Sequence, residues 1–339
     1  MAIVLRKIGE STGRRRARGL VASCLAAGAL LAASALFVQW SARQALRRNP
    51  PQGRFISVDG VRLHYVDTGG KNPPILLLHG NGSMAKELEI SGIVEQLSTG
   101  HRVVAFDRPG FGHSERPRTR TWTPAAQADL MQAAMRRLGL GSALVLGHSW
   151  GTLVALELAL RHPRFVRGLL LIGGLYFPEA RRDVALLSVP ALPVLGDLMG
   201  HTVLPILTRL LSRRAMQNAF APRPVSGRFL SEFPVDLATR PINIRAAAED
   251  LALMMPAAEA LEARYRRIRK PTIIISGAED GIVNVDRHAA RLQSQIEGSE
   301  LYVLPHDGHM VHHHAPLTIL QAVEKLAERS GRRRGVSTG

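Results

Sequence analysis

The sequence predicts an α/β protein with a doubly wound, mostly parallel β-sheet, a helical lid inserted into it, and a transmembrane helix in front of it. Three observations lead to this fold class. Short apolar runs alternate with helical segments from residue 54 onward, residues 176–265 hold apolar helical stretches without a strand pattern, and residues 19–40 carry no charge. Alternation of strands and helices is typical of a parallel sheet with helices on both faces.

The composition is that of a folded globular protein. The 339 residues are 46% hydrophobic and 21% charged, which excludes a disordered chain and a multi-span membrane protein. The length suits one large domain with an appendage, or two small domains, and either can bury a sizeable core. Cys24 is the only cysteine, so an intramolecular disulfide and a cysteine-based zinc site are excluded.

The formal net charge of +17 is concentrated at the ends of the chain. Residues 1–50 contribute +8 and residues 331–339 contribute +3, which leaves +6 for the residues between them. Basic termini are expected near anionic lipid head groups, whereas a nucleic-acid-binding protein combines a basic surface with a binding motif. The charge distribution therefore argues against nucleic acid as a partner.

Residues 1–18 form a basic segment, and residues 19–40 follow as a 22-residue apolar run that ends at Trp40. A helix of this length spans about 30 Å, close to the hydrocarbon thickness of a bilayer. We interpret the run as a signal anchor, because it exceeds the roughly 7–15 residues of a typical signal-peptide core. A secretory signal peptide cleaved near residues 33–35 and an organelle transit peptide are the alternatives.

The flanks of the apolar run predict its orientation. Basic residues are more numerous before the run than after it, which favours a single-pass protein with a cytoplasmic N-terminus and the large domain outside, in the periplasm or extracellular space. Residues 41–53 are predicted to be a linker, because Pro50, Pro51 and Gly53 terminate a helix.

The predicted core consists of residues 54–175 and 266–330. Apolar runs such as Ile75–Leu78 are typical of strands buried on both faces. Thr123-Pro124 predicts the start of a helix that ends near Leu138. The predicted strands are a hairpin over Phe55–Asp67 with its turn at Asp59-Gly60, and then Ile75–Leu78, Val103–Phe106, Ala143–Leu146, Val166–Ile172, Thr272–Ser276 and Leu301–Leu304.

Residues 176–265 are predicted to be a helical lid, and residues 331–339 a basic tail. The helical stretches of the lid are Ala185–Gly196, Val203–Leu211 and Ala246–Ala263. An insertion of this size between core strands is typical of a segment that covers a site. Its leucines could pack in the core, line a substrate tunnel or face a membrane. We expect core packing for Leu186, Leu187, Leu192 and Leu195.

The segment Gly147-His148-Ser149-Trp150-Gly151 lies between a predicted strand and a predicted helix, the context that the G-x-S-x-G pattern requires. The turn is so sharp that the serine adopts strained backbone angles, and the two glycines avoid clashes between neighbouring Cβ atoms. The Ser149 hydroxyl is therefore expected above the carboxyl edge of the sheet, as a nucleophile. A plain strand-to-helix turn is the alternative.

A serine nucleophile needs a base that an acid holds in one tautomer. In a doubly wound sheet these partners lie on loops at the carboxyl ends of strands. Glu279 and Asp280 follow one predicted strand, and His306 and His309 follow the next. The order of serine, acid and histidine is the one that this architecture uses.

From about residue 54 to residue 328 the chain resembles the α/β-hydrolase fold superfamily. The resemblance rests on five motifs in the expected order, which are His79-Gly80-Asn81-Gly82, the turn at residues 107–114, the elbow at residues 147–151, the G-x-x-D of residues 277–280, and Gly308-His309. It implies that Asp280 is the catalytic acid, with Glu279 as the alternative. It also implies that His309, rather than His306, is the base.

An oxyanion hole needs two backbone N–H groups about 3 Å from the developing charge. One is expected from Trp150, the residue after the nucleophile. The resemblance implies that Asn81 supplies the other, with Gly82 as the alternative. Asp107 and His79 are expected to support their loops.

Five histidines follow the last predicted strand, at residues 306, 309, 312, 313 and 314. Imidazoles bind zinc or nickel, but neither a second cysteine nor an H-E-x-x-H helix accompanies them. We expect a solvated loop around His309, no metal site and no cofactor.

The predicted activity is acyl transfer to water through Ser149, Asp280 and His309, with a small-molecule, apolar carboxylester as the first substrate class. Hydrolysis of a carbon–carbon bond in a diketone, or of an amide, on the same triad is one alternative. A non-catalytic, membrane-tethered interaction module is another, because fold does not determine function. The resemblance argues against haloalkane dehalogenase and epoxide hydrolase chemistry, whose elbows carry aspartate.

Overall fold

The computed structural model describes the backbone of residues 2–70 and 73–335, and the side chains of residues 19–70, 73–181 and 183–331. Side chains of the predicted basic segment at residues 1–18 lie outside the described residues, as do those of residues 332–339 in the predicted tail. The predicted α/β architecture is confirmed, since one sheet of eight strands carries helices on both faces.

The strand order is β1-β2-β4-β3-β5-β6-β7-β8. Strand β2 is antiparallel to both β1 and β4, and every other neighbouring pair is parallel. The strands are β1 Arg54–Val58, β2 Val61–Asp67, β3 Ile75–Leu78, β4 Val103–Phe106, β5 Ala143–His148, β6 Val166–Ile172, β7 Thr272–Gly277 and β8 Glu300–Leu304. The loops after the parallel strands therefore meet at one edge of the sheet.

The central strands are buried on both faces, as their continuous apolar runs predict. In β3, Leu76 and Leu78 belong to one apolar cluster, whereas Ile75 and Leu77 belong to a second. Because successive side chains of a strand point to opposite faces, these clusters are the two halves of the core, one on each side of the sheet.

Helices cover both faces of the sheet. Thr123 begins one of them as predicted, since its side chain accepts a hydrogen bond from the Ala126 amide and Pro124 occupies the first turn. The flanking helices are α2 Ala85–Ile90, α3 Ile93–Ser98, α4 Pro124–Arg137, α5 Gly151–Arg161, α12 Arg291–Gln293, α13 Val311–His314 and α14 Pro316–Gly335. Helix α14 extends into the predicted tail.

The segment between β6 and β7 is here called the insertion (residues 176–265). All of its regular secondary structure is helical. The helices are α6 Arg182–Leu187, α7 Leu195–His201, α8 Leu204–Phe220, α9 Gly227–Glu232, α10 Val235–Ala238 and α11 Pro241–Glu262, with a 3₁₀ turn at Val189–Ala191. The predicted core packing of its leucines is wrong, because Leu186, Leu187, Leu192 and Leu195 are 72%, 58%, 53% and 47% exposed. These short helices pack on α11, and the four leucines lie outside that contact.

The N-terminal helix, α1, runs from Ala2 to Arg48, so the predicted linker at residues 41–53 is wrong over residues 41–48. Pro50 is the first proline of the chain, and α1 packs against α10. The Arg48 guanidinium lies 2.8 Å from a carboxylate oxygen of Asp236, and the Asn49 amide donates to its other oxygen over 2.9 Å. Residues 19–48 are long and apolar enough to span a membrane, and their most apolar stretch of 18 residues has a mean hydropathy of 2.2.

Candidate active site

The turn between β5 and α5 holds Ser149 in the left-handed backbone region, with φ of 51°. Both flanking glycines are required by close approaches of the backbone. A Cβ atom at Gly147 would lie 2.6 Å from the Gly151 carbonyl oxygen, and one at Gly151 would lie 2.3 Å from the Leu78 carbonyl oxygen. The strain that the G-x-S-x-G pattern predicts is therefore present in the backbone.

The structure brings Ser149, His309 and Asp280 together from three loops at the carboxyl edge of the sheet. The Ser149 hydroxyl oxygen lies 2.9 Å from His309 Nε2, and His309 Nδ1 lies 2.8 Å from Asp280 Oδ2. The Asp280 side chain is 1% exposed, and its other oxygen accepts hydrogen bonds from the Ile282 and Val283 amides. These contacts orient the carboxylate toward the imidazole.

The alternative acid and base lie elsewhere. His306 Nδ1 is 3.2 Å from a Glu279 carboxylate oxygen, and the two side chains are 84% and 50% exposed. Glu279 and His306 thus form a surface pair with each other, while Asp280 contacts His309 and His309 contacts Ser149.

The loop after β3 lies directly beside the serine. A Cβ atom at Gly80 would lie 3.1 Å from Ser149 Cβ, so a larger residue would push the loop and the serine apart by a few tenths of an ångström. Asn81 follows, and its side-chain amide donates to the Ala247 carbonyl of α11 over 3.2 Å. Gly82, the alternative donor, has φ of 66°. Trp150 is the N-cap residue of α5, whose N-terminal amides favour negative charge at the serine.

A buried arginine, which sequence reasoning missed, ties this loop to the insertion. Arg108 donates to the carbonyl oxygens of His79 and Gly80, each over 2.9 Å, and is paired with Asp250 of α11 over 2.7 Å. Arg116 also donates to Asp250, and all three charged side chains are fully buried. Burial and the Arg108 charge lower the pKa of His79 to about 3, so that imidazole is neutral and supports the loop.

The same group holds Trp150. Its indole N–H donates to the Asp250 backbone carbonyl over 3.0 Å, and the Arg108 guanidinium lies 4.4 Å from the centre of its ring. Asp250 therefore contacts Arg108, which holds the loop of His79 and Gly80, and also Trp150. The amides of the expected oxyanion hole belong to these two segments.

The predicted solvated histidine loop is wrong for His312 and His313. Their side chains are 0% and 1% exposed, and both Nε2 atoms donate to one carboxylate oxygen of Glu87, over 2.5 and 2.7 Å. Burial alone would raise the pKa of Glu87, but the charges and hydrogen bonds of the two histidines hold it well below its usual value. Glu87 is thus a buried carboxylate that links α2 to the loop of His309.

Glu87, His312 and His313 are also the residues that could hold a metal ion in the described part of the chain. A tetrahedral zinc ion with ligands at about 2.0–2.1 Å keeps its ligand atoms roughly 3.3 Å apart. The separations of 2.5 and 2.7 Å are shorter and match hydrogen bonds to a carboxylate. The cluster as it stands is a structural contact.

Replacing Glu87 with leucine is expected to lower the free energy of unfolding by about 2–4 kcal/mol, because two buried imidazole donors lose their acceptor. Ester hydrolysis should also slow, since α2 carries the loop beside Ser149. Chemical denaturation of the detergent-solubilised chain measures the first effect. Glu95→Ala on the exposed side of α3 is the control. Equal stability of the Glu87 and Glu95 variants would show that the cluster does not hold the fold.

His148 lies behind the site. Its structural role was not predicted from the sequence. Its Nε2 donates to the His309 backbone carbonyl over 3.2 Å. Burial, together with the neighbouring His312 and His309, holds the pKa of His148 well below its usual value. It is a neutral support for the loop of His309.

Acid is expected to destabilise the fold through His79 and His148. Both folded-state pKa values lie below the usual value of 6.5, so the unfolded chain binds more protons as the pH falls below 6.5. Each group then lowers the free energy of unfolding by about 1.4 kcal/mol for each pH unit of acidification. For His79 this effect continues down to pH about 3, its folded-state pKa. Denaturant unfolding between about pH 7 and about pH 5 measures this slope. His148→Asn should reduce it, and the exposed His306→Asn should not.

The geometry has the parts of nucleophilic catalysis. A hydroxyl contacts an imidazole, the imidazole contacts a buried carboxylate, and the loop of Gly80 lies beside the serine.

The sequence is similar to those of known proteins. A sequence profile described as the alpha/beta hydrolase fold matches residues 73–316. The 2-hydroxymuconate semialdehyde hydrolase of Pseudomonas sp. (strain CF600) is 28% identical over 274 residues, which cover 78% of this chain and 90% of the relative.

Solved structures agree in fold. A thermophilic esterase from Thermogutta terrifontis has a TM-score of 0.64 at 21% identity, over 82% of this chain and 99% of its own. A structure described as a membrane phospholipase A, a bacterial virulence factor, has a TM-score of 0.63 at 21% identity, over 92% of this chain and 99% of its own.

Proposed function

This chain belongs to the alpha/beta hydrolase fold family, and we propose that it is a membrane-anchored serine hydrolase that cleaves a carboxylester. The observation that carries the proposal is the hydrogen-bonded series from the Ser149 hydroxyl through His309 to the buried Asp280. The hydrolase activities of its relatives support the reaction class.

The mechanism begins at the Ser149 hydroxyl. As its oxygen attacks the ester carbonyl carbon, His309 Nε2 takes the hydroxyl proton, and the Asp280 carboxylate stabilises the resulting imidazolium through Nδ1. The carbonyl oxygen becomes an oxyanion that the amides of Trp150 and Asn81 bind. His309 then gives its proton to the leaving alkoxide, which departs as an alcohol and leaves an acyl-enzyme.

The acyl-enzyme is hydrolysed by the same groups. His309 takes a proton from water, the hydroxide attacks the acyl carbonyl, and the second tetrahedral intermediate expels the Ser149 oxygen, which regains its proton from His309. Each step uses groups of this chain and one water molecule.

Membrane anchoring is part of the proposal. The apolar part of α1 spans residues 19–48, and 6% of its most apolar window is buried inside the protein. Such a helix needs an apolar surrounding, which a bilayer supplies. With the N-terminus in the cytoplasm, the hydrolase core lies outside. A signal sequence that is cleaved would instead release it, and N-terminal sequencing of the mature protein distinguishes these outcomes.

A panel of p-nitrophenyl esters with increasing acyl length, assayed with the detergent-solubilised chain, tests the function. We expect hydrolysis of esters and covalent labelling by a fluorophosphonate probe. Absence of both with a folded chain would favour a non-catalytic interaction module.

A second candidate is hydrolysis of a carbon–carbon bond in a diketone, or of an amide, by the same residues. It is favoured by the relative whose name gives a semialdehyde, rather than an ester, as its substrate. Diketone and anilide substrates belong in the same panel, and a higher kcat/KM for either than for any ester would select it.

A further inference from the structure

The insertion has an outer surface of exposed leucines that the proposed mechanism does not use. They lie on α6, α7, α8 and the turns between them, and we call them the apolar face, which consists of Leu186, Leu187, Leu192, Leu195, Leu198, Leu207, Leu210 and Leu211. Leu186 and Leu210 are 72% and 75% exposed. Soluble monomers rarely expose contiguous apolar patches of this kind, and those that do bind another protein or a membrane there.

The apolar face adjoins the helix that is long enough to span a bilayer. Ser34 of α1 donates to the Thr202 carbonyl, at the end of α7, over 2.9 Å. Beside this contact, a cavity of about 270 Å³ lies between the two elements, lined by Phe37 of α1 and by Ile206 and Leu210 of α8. The exposed apolar surface of α1 therefore continues onto the insertion.

Two more features of the insertion match a lipid surface. The helical segments Asp183–Ala191 and Leu195–His201 together are as apolar as a membrane segment, but they are bent by 90°, as in a segment that enters a bilayer and turns back. Helix α8 carries Arg209, Arg213 and Arg214 and no acidic residue. Arginines next to an apolar helix face suit anionic head groups.

We propose that the apolar face is immersed in the lipid leaflet where α1 leaves the membrane, and that the enzyme takes an ester from this leaflet. The insertion contacts residues between 34 and 49, which are the second half of the apolar helix and the residue after it, and this places the face at the outer leaflet in the proposed orientation. This substrate source rests on the proposed hydrolase function. The lipid contact itself does not, because it follows from the surface alone.

Single cysteines test the contact in the full chain. In a Cys24→Ser background, Leu186→Cys and Leu210→Cys are labelled with an environment-sensitive fluorophore, and the protein is reconstituted into vesicles of phosphatidylcholine and phosphatidylglycerol. Arg164→Cys is the control, because this exposed residue lies before β6, at the opposite edge of the sheet. Lipids with a quencher on the acyl chain should quench both insertion labels and leave the control unchanged.

Failure to quench at both insertion positions would overturn the proposal. If the labels were instead shielded from iodide in water and also from the lipid quencher, a second protein copy would cover the face, and the proposal would equally be wrong.

The substrate source is tested with Leu186→Ser combined with Leu210→Ser. Because both leucines are exposed, hydrolysis of a water-soluble p-nitrophenyl ester should stay within about twofold of the native rate, whereas hydrolysis of a long-chain ester dissolved in vesicles should fall about tenfold. Equal rates on the vesicle ester would reject uptake from the leaflet. If the native protein itself did not hydrolyse the water-soluble ester, the proposed hydrolase function would be rejected instead.

Discussion

Replacing Ser149 with alanine is expected to lower kcat for ester hydrolysis by about four to six orders of magnitude. The reason is that the hydroxyl is the group whose oxygen forms the acyl-enzyme, and its contact with His309 Nε2 at 2.9 Å places the base for that step. Stopped-flow or overnight assays with a p-nitrophenyl ester, together with fluorophosphonate labelling, measure the loss. The fold should be unchanged, because the substitution removes one oxygen.

Two further variants make this prediction specific. Ser98→Ala on the surface of α3 is the matched control and should retain the native rate. His309→Ala combined with Ser149→Ala should be no slower than Ser149→Ala alone, because residues that act as one unit are not additive. A Ser149→Ala protein that hydrolyses the ester and binds the probe as the native protein does would refute the proposed mechanism.

Replacing Asp250 with alanine is expected to lower the free energy of unfolding by about 3–5 kcal/mol, because it leaves the buried Arg108 guanidinium without a carboxylate and leaves Arg116 with Glu249 alone. Arg108 and Arg116 both pair with Asp250, and none of the three side chains is exposed. Burial lowers the pKa of Arg108 and Asp250 opposes this effect, so removal of the carboxylate makes the charged form costly. Ester hydrolysis should fall as well, since Arg108 holds the His79 and Gly80 carbonyls beside Ser149.

The insertion supplies the control. Asp197 pairs with Arg118 at the surface, where the two side chains are 38% and 55% exposed. Exposed pairs contribute little, so Asp197→Ala should change the unfolding free energy by less than about 1 kcal/mol. If Asp250→Ala unfolds at the same denaturant concentration as Asp197→Ala, the buried group does not hold the insertion on the core.

Much of the core was predictable because its signals are local. The runs Ile75–Leu78, Val103–Phe106 and Val166–Ile172 form strands with the predicted bounds. Short runs made mostly of apolar residues are typical of strands that helices cover on both faces of the sheet. The Asp59-Gly60 pair forms the predicted hairpin turn with positive φ at both residues. The glycines of the elbow are explained by contacts within a few residues or with the adjacent strand.

Other features could not be predicted because they depend on residues far apart in the sequence. Arg108 and Asp250 are 142 positions apart, and Glu87 and His312 are 225 apart. In the sequence, each is one charged residue among many. A buried carboxylate is recognisable only when the residues that cover it are known, and the same applies to the exposed leucines of the insertion.

The sequence by itself determined the fold class, the elbow and the candidate groups of the site, because periodicity, glycine positions and strand order are properties of neighbouring residues. Only the tertiary structure decided which of two acids and two histidines meet the serine, and which apolar residues lack a partner. Those outcomes depend on distances between segments that the chain brings together when it folds. No local propensity contains such distances.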